Sequence, residues 1–405
     1  MKHTKLWIAG ATLALAAAAA PAQNITASDN VIRIGVLNDR SGPIADVSGE
    51  GSALAARMAA EEFGNRIRGV PIEIVVADHQ NKTDLGVSIA RKWFDADGVD
   101  AVVDVAHSAV FLAVAALVKD RKKLLMGSGG STEITGKQCT ARSLQWLYNA
   151  HATTANVVTR ENIAQGMDSF YIVAVDYALG VSMAKAFKTS VAANGGKIVG
   201  EVIHPINTTD FSSYLLQAQS SGAKGVLFAN GGADLSNIVK QAREFGVPPK
   251  QQMLAAGLTT SEIESAGLAA MQGLQAVSFY EWNLNDRSRN WARAFAARHG
   301  GKLPSGVQAS TYSEVRHYLR AIEAAGTDDA DAVLAKMRAM PVDDAFASNG
   351  KLREDGQMVH DMYLVRIKGP SESTGKGDYT KVVQTLPGDR AFQTLAQSEC
   401  PLIRK

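Results

Sequence analysis

Hydrophobic positions along this chain fall into short, nearly continuous apolar runs, and these alternate with longer stretches of helical period. Residues 32–37 predict a buried strand. The polar loop 38–49 then feeds a helix whose apolar side includes Leu54, Ala55, Met58 and Phe63. The unit recurs with strands at 72–77, 101–105 and 123–126, helices near 85–94 and 110–118, and a glycine-serine loop after the last strand. A second series begins after residue 148, with strands at 170–175, 197–202, 225–229 and 253–256 and helices near 181–193, 212–220 and 235–245. From Gln275 the pattern predicts another strand, helices near 290–299, 312–325 and 330–340, and a closing hairpin of edge strands at 361–367 and 379–383. Alternation of this kind predicts an α/β fold in which parallel sheets are flanked by helices on both faces.

The N-terminus has a different character. Lys2 and Lys5 precede an apolar run over residues 6–20 and a small-residue exit at Ala20-Pro21-Ala22, which predicts an export signal over residues 1–22 with cleavage after Ala22. The run is shorter than the roughly 20 apolar residues of a membrane span, and an uncleaved anchor is the alternative. Beyond it lie about 380 residues, too many for one ordinary core and enough for two lobes with a cleft between them. Loss of Lys2 and Lys5 brings the 42 basic residues level with the 40 acidic ones. Such balance leaves no electrostatic footprint for nucleic acid and no polybasic patch for a membrane. The two cysteines, Cys139 and Cys400, pair as a disulfide in an oxidising compartment, tying the C-terminal tail to a loop far upstream; two separate buried thiols are the alternative.

In open α/β sheets, ligands sit beyond the carboxyl ends of the strands, where loops and helix N-termini present unpaired N–H groups. The loops to read are therefore 39–49, 106–109, 127–131, 176–180, 230–234, 257–260 and 278–282.

Taken in order, IGVLNDRSGPIADVSGEGSALAARMAAEEFG at 34–64, VDYALG at 175–180, TYSEVRHYLRAIEAAGT at 311–327 and the tail from Asp344 to Asp389 resemble the leucine/isoleucine/valine-binding family of periplasmic solute receptors for ABC importers. The resemblance implies the type I periplasmic binding-protein fold, two Rossmann-like lobes joined by a three-segment hinge that closes on ligand. It places residues 29–147 and 278–345 in the first lobe, 148–277 and 346–388 in the second, and returns the tail 389–405 to the first. It also implies a monomer that works in the periplasm with a small-molecule ligand and an inner-membrane ABC permease as partners, and no cofactor. For the ligand carboxylate it points to Ser108 with Ala109 and to Gly129, Gly130 and Ser131, where small residues admit close backbone approach and hydroxyls donate; plain helix capping is the alternative for the serines. Tyr177 is expected as one wall of the cleft. Asn230, Gly231 and Gly232 are candidate donors from the second lobe, and Asp234 a helix N-cap.

Departures from the family pattern bear on the ligand. Where amino-acid-binding relatives carry a carboxylate for the ammonium, this chain reads Gly257-Leu258-Thr259-Thr260, so an α-amino acid would lack an anionic partner unless Glu281 or another acid substitutes. Leu258 and Thr259 join the candidate contacts, as do Ser41 and Val47 from the first loop, Val47 standing where relatives often carry an aromatic. His107 offers a proton donor beside Ser108, or a ring satisfied by a local backbone bond. Tyr280 and Trp282 either stack on a flat ligand or pack at the hinge. The expectation is a small carboxylate with an apolar or aromatic body. No Gly-x-Ser-x-Gly elbow, dinucleotide fingerprint or phosphate loop is present, and the eight histidines include no i, i+4 pair, so neither catalysis nor metal binding is predicted. A catalytic cleft built from distant residues, a receptor that regulates a partner instead of feeding a transporter, or a branched-chain amino acid receptor proper are the alternatives.

Overall fold

The computed structural model describes residues 25–158 and 160–403. The predicted export signal, residues 1–22, lies outside the described residues. The first half of the chain builds strands β1 (Ile32–Asn38), β2 (Arg66–Ile67), β3 (Val70–Asp78), β4 (Ala101–Val103), β5 (Leu124–Gly127) and β6 (Ser143–Gln145), with helices α1 (Gly49–Glu61), α2 (Thr83–Asp95) and α3 (Ser108–Val118) between them. They form one sheet in the order β2-β3-β1-β4-β5-β6, parallel except for the β2–β3 turn. The central strands are buried on both faces and so read as continuous runs: all three residues of β4 and all four of β5 are buried.

Helices α4 (Ala150–Thr154) and α5 (Arg160–Ala164) lead into the second sheet. Its members are β7 (Ser169–Val175), β8 (Lys197–His204), β9 (Gly225–Ala229), β10 (Gln252–Ala255) and β11 (Gln275–Ser278), with α6 (Ala178–Ala193), α7 (Ser212–Ser220), α8 (Gly232–Glu244), α9 (Thr260–Ala266) and α10 (Leu268–Met271) packed around them. After β11 the chain crosses back, and α11 (Asp286–Arg298), α12 (Gly306–Ala325) and α13 (Ala330–Ala339) follow. Helix α12 packs against α1 and α13 and beneath the first sheet. A ribbon of β12 (Lys351–Leu352) and β13 (Met358–Val359) precedes the hairpin β14 (Met362–Ile367) and β15 (Thr380–Leu386), which adds two antiparallel strands to the second sheet in the order β15-β14-β11-β10-β9-β7-β8. A last turn, α14 (Gly388–Ala391), starts the tail.

Three differences from the sequence reading have physical causes. Strand β4 stops at Val103 instead of Val105, because Asp104 takes a left-handed backbone with φ 61°. Its carboxylate accepts from Asn38 Nδ2 at 2.8 Å and Thr311 Oγ1 at 2.9 Å, and its N–H donates to Glu314 Oε2 at 3.0 Å, which fixes the bend that starts the next loop. Burial pushes the Asp104 carboxyl up to about 7. Second, residues 346–360 stay with the first sheet, whereas the sequence assigned them to the second lobe: Gln145 N donates to Gly356 O at 2.9 Å, and Asn149 Nδ2 donates to Gln357 Oε1 at 2.8 Å. The ribbon concerned has strands of two residues each, too brief to carry a period. Third, β6 is a three-residue strand hidden in a polar sequence, Ser143-Leu144-Gln145.

The C-terminal tail returns to the first sheet's side, where Cys139 and Cys400 form a disulfide with Cα atoms 5.6 Å apart. No helix among the described residues is long and apolar enough to cross a membrane.

Candidate functional site

The carboxyl ends of β1, β4 and β5 face those of β7, β9 and β10 across a cleft, so the loops that a parallel sheet presents for binding converge from both sides. The two sides touch. The His107 ring stacks on the Tyr177 ring with centroids 5.4 Å apart, Ser131 Oγ lies 3.0 Å from Ser182 Oγ, and a Cβ on Gly232 would come within 3.2 Å of Pro43 O. The closed cleft encloses about 80 Å³ open to the centres of water molecules, against the roughly 10–15 Å³ that one water needs. A small organic molecule therefore has room.

Half of the sequence candidates line this space: Val47, His107, Tyr177, Asn230, Gly231, Gly232, Leu258 and Thr259. The other half do not. Ser108 is buried, and its Oγ accepts from Gly130 N at 3.0 Å and Ser131 N at 3.2 Å, clamping the β5 loop to the start of α3. Gly129 N donates to Val105 O, and Gly130 is squeezed so that a Cβ there would lie 2.5 Å from the Tyr148 ring. Ala109 lies behind this clamp in the first turn of α3, and Ser41 donates to Asp78 at the end of β3. Tyr280 and Trp282 line a smaller side cavity with Glu281; Tyr280 stacks on Phe346, Trp282 Nε1 donates to Gly377 O at 2.8 Å, and Glu281 accepts from Thr380. These two rings pack at the crossing between lobes.

The Ser108 clamp makes a definite prediction. Ser108→Ala strips an acceptor from two buried N–H groups and is expected to cost about 1–3 kcal/mol of stability. Urea unfolding measures it. Unchanged stability with weakened ligand binding would instead put the hydroxyl on the ligand.

Several lining residues were not anticipated. Ser128, one position past the end of β5, is buried with an Oγ that has no partner in the structure, so the unpaired hydroxyl of this loop is neither of the two serines the sequence favoured. Tyr148 and Phe279 stack with centroids 4.8 Å apart and an interplanar angle of 7°, forming an aromatic wall from two inter-lobe crossings. Asn81, Leu179 and Met183 add to the apolar and amide lining. Glu262 is the largest omission. It follows the Gly257–Thr260 stretch, and the first turn of α9 folds its carboxylate back into the cleft wall. The sequence signal was present as a capping box, Thr259 with Glu262 three residues on.

Electrostatically the two walls differ. His107 Nδ1 accepts from Val110 N at 3.4 Å as the cap of α3, and burial lowers its pKa to about 4, so the ring is neutral at neutral pH with its proton on Nε2. Across the cleft stand Asp234 and Glu262, while no lysine or arginine lines it among the described residues. Asp234 is in the first turn of α8 instead of at its cap, which is Gly231, and accepts from Asn207 N at 3.1 Å. Asn230 is held by His204 Nε2 at 2.6 Å and by its own donation to Val173 O at 3.1 Å. Burial raises the Tyr148 and Tyr177 hydroxyls above their ordinary range, and the charge of Glu262 adds to both shifts. No group of His, Cys, Asp and Glu among the described residues is arranged to hold a metal ion.

Comparison with known proteins agrees with this fold. A Leu/Ile/Val-binding protein homolog 6 of Brucella abortus is 23% identical over 385 residues, spanning 93% of this chain and 95% of that protein. A solved periplasmic binding protein from Burkholderia mallei is 40% identical with a TM-score of 0.89, covering 93% of this chain and all (100%) of that one. A branched chain amino acid ABC transporter periplasmic ligand-binding protein from Burkholderia xenovorans is 41% identical with a TM-score of 0.83, covering 92% and 100% respectively. A more distant solute binding protein from R. palustris, solved in complex with benzoate, shares the fold at 17% identity and a TM-score of 0.78, with 88% and 97% covered. The family profile described as periplasmic binding protein matches residues 31–376, and the chain belongs to that family.

Proposed function

We propose that this protein is a periplasmic solute receptor that closes two lobes around a small carboxylate-bearing ligand, an aromatic or aliphatic acid or an amino-acid-like molecule, and delivers it unaltered to an ABC importer. The observation that carries the reading is the cleft itself. It encloses a cavity with an aromatic wall of Tyr148 and Phe279 on one side and, on the first-lobe side, the unpartnered Ser128 Oγ beside the neutral His107 ring. An unpartnered hydroxyl beside a ring N–H suits a carboxylate, and the stacked rings suit a flat or branched apolar body. The benzoate-bound relative and the relative named for branched-chain amino acids bracket this chemistry. The amino-acid branch gains from Glu262, an acid of the cleft wall just past the Gly257–Thr260 stretch that carries none.

A thermal-shift screen of aliphatic acids, aromatic acids, amino acids, amides and sugars tests the proposal. A true ligand at a hundredfold excess over its dissociation constant stabilises the folded form by about 2.7 kcal/mol, a rise of several degrees in melting temperature. The expected hits are monocarboxylates. Sugars or amides alone raising the melting point would refute the carboxylate reading.

A further inference from the structure

We propose that a second cavity between the lobes, beside the Ser131–Ser182 contact, binds a small oxyanion such as inorganic phosphate, and that its occupation strengthens closure on the solute in the cleft. The site stands on its own geometry; its coupling to the cleft rests on the receptor reading.

Helix α6 carries two neighbouring stripes. Leu179 and Met183 face the ligand cleft, whereas Ser182, Lys185, Ala186 and Thr189, at the spacing of one helical face, line the second cavity. The crossing segment divides in the same way: Tyr148 belongs to the cleft, Asn149 and His151 to the other space. Facing them are Arg353 and Asp355, in the turn of the β12–β13 ribbon, and part of the tail that Cys400 ties down, including Glu399. The cavity has about 140 Å³ open to the centres of water molecules, more than the 80 Å³ of the cleft. Of its lining residues only Gly136 and Ala186 lack a polar side chain, so it suits a hydrated or charged occupant and not an apolar one.

Charge decides what it takes. Arg353 holds Asp355 through Nε at 3.1 Å and Nη2 at 2.5 Å, and Asp355, 1% exposed, also accepts from Gln357 N at 3.2 Å, so this acid is already satisfied. Glu399, the other lining acid, is half exposed and lies 3.9 Å from Lys137 Nζ. Lys188, one turn along α6, pairs with Glu201. The Lys185 ammonium, by contrast, has no carboxylate or hydrogen-bond partner among the described residues. Arg353 spends Nη1 on Gln393 O, yet each Nη carries a second N–H that can donate. Burial lowers the pKa of His151, so its ring is neutral at neutral pH and adds a further N–H.

An oxyanion in this space accepts from Lys185 on the second lobe and from Arg353 on the first at the same time. Opening the lobes draws those two apart and halves the site. The anion therefore binds the closed form more tightly, which is the condition for it to shift the equilibrium. By linkage the same coupling tightens the solute in the cleft. The route is short, because α6 and the 148–151 crossing wall both cavities.

The test is titration calorimetry of phosphate into the mature protein, with chloride as the matched salt at fixed ionic strength. The tightest-binding acid from the thermal-shift screen is then titrated with and without saturating phosphate. Saturable phosphate binding is expected, weakened about tenfold in Lys185→Gln. Lys188→Gln, which removes the same charge from the same helix outside the cavity, should leave it unchanged. The acid should bind about tenfold more tightly with phosphate present, a gain that vanishes in Lys185→Gln. Lys185 is exposed, so the variant is expected to fold, and its melting temperature in chloride checks this. Stabilisation that climbs without saturating, as an excluded salt produces, overturns the proposal while the receptor reading stands. So does equal phosphate affinity in Lys185→Gln, or an acid affinity indifferent to phosphate. Failure of every acid to bind overturns the receptor reading and the coupling with it, and the phosphate titrations then decide the site alone.

Discussion

Replacing both Cys139 and Cys400 by serine is expected to lower stability by up to about 5 kcal/mol, the largest single loss anticipated in this protein. The reason lies in the unfolded chain. The cross-link closes a loop with a sequence separation of 261 residues, and its removal restores conformational freedom that grows with the logarithm of loop length. The native state also loses an anchor. Cys400 is buried, and its neighbour Ser398 reaches Thr135 O at 3.5 Å, so the tail is held against the turn that follows Ser131. That turn brings Ser131 against Ser182 of the opposite lobe, which links the disulfide to the closed geometry. Urea unfolding of oxidised and reduced protein checks this directly. The midpoint should fall on reduction, and m should rise if the unfolded chain expands. An unmoved midpoint after complete reduction would show that packing alone secures the tail.

Gly180→Ala is expected to damage both stability and binding. A Cβ at this position would lie 2.0 Å from the carbonyl oxygen of Val175, a backbone atom that cannot rotate aside. Helix α6 must therefore move off β7. Overpacking of this kind costs about 1–3 kcal/mol or more. The displaced helix starts directly after Tyr177 and carries Leu179 and Met183 into the cleft wall and Ser182 to its contact with Ser131, so the same shift distorts the cavity and its closure. A fall of several degrees in melting temperature together with loss of the ligand-induced shift is the expected pair of results. Loss of stability with full binding would show that α6 can back away without disturbing the cleft.

Much of the fold was legible because buried parallel strands announce themselves. Runs such as Ile172-Val173-Ala174-Val175 or Val226-Leu227-Phe228-Ala229 are apolar throughout, and the loops after them line the cleft. Elements decided by tertiary pairing escaped. Strand β6 and the β12–β13 ribbon are two or three residues long, and the bridge that joins them, Gln145 to Gln357, spans a wide stretch of sequence.

The site shows the same division at finer scale. Sequence pattern located the 127–131 loop, yet whether Ser108, Ser128 or Ser131 turns inward depends on which backbone N–H groups each hydroxyl satisfies. Ser108 is consumed by two such groups, and Ser128 by none. Tyr148 and Phe279 lie on separate crossings, and only their meeting makes a wall. Glu262 is hidden from a strand-end reading because one helical turn brings a residue three positions later back to the same place.

Central to this account is that the cleft holds a small carboxylate and returns it unchanged. The most direct measurement is a crystal structure of the protein with the tightest-binding acid from the screen, paired with mass analysis of the acid recovered from the crystals. The predicted result is an intact molecule enclosed between the lobes, its carboxylate within hydrogen-bond distance of Ser128 or His107 and its body against Tyr148. A ligand seated elsewhere on the molecule, or recovered as a converted product, would contradict it.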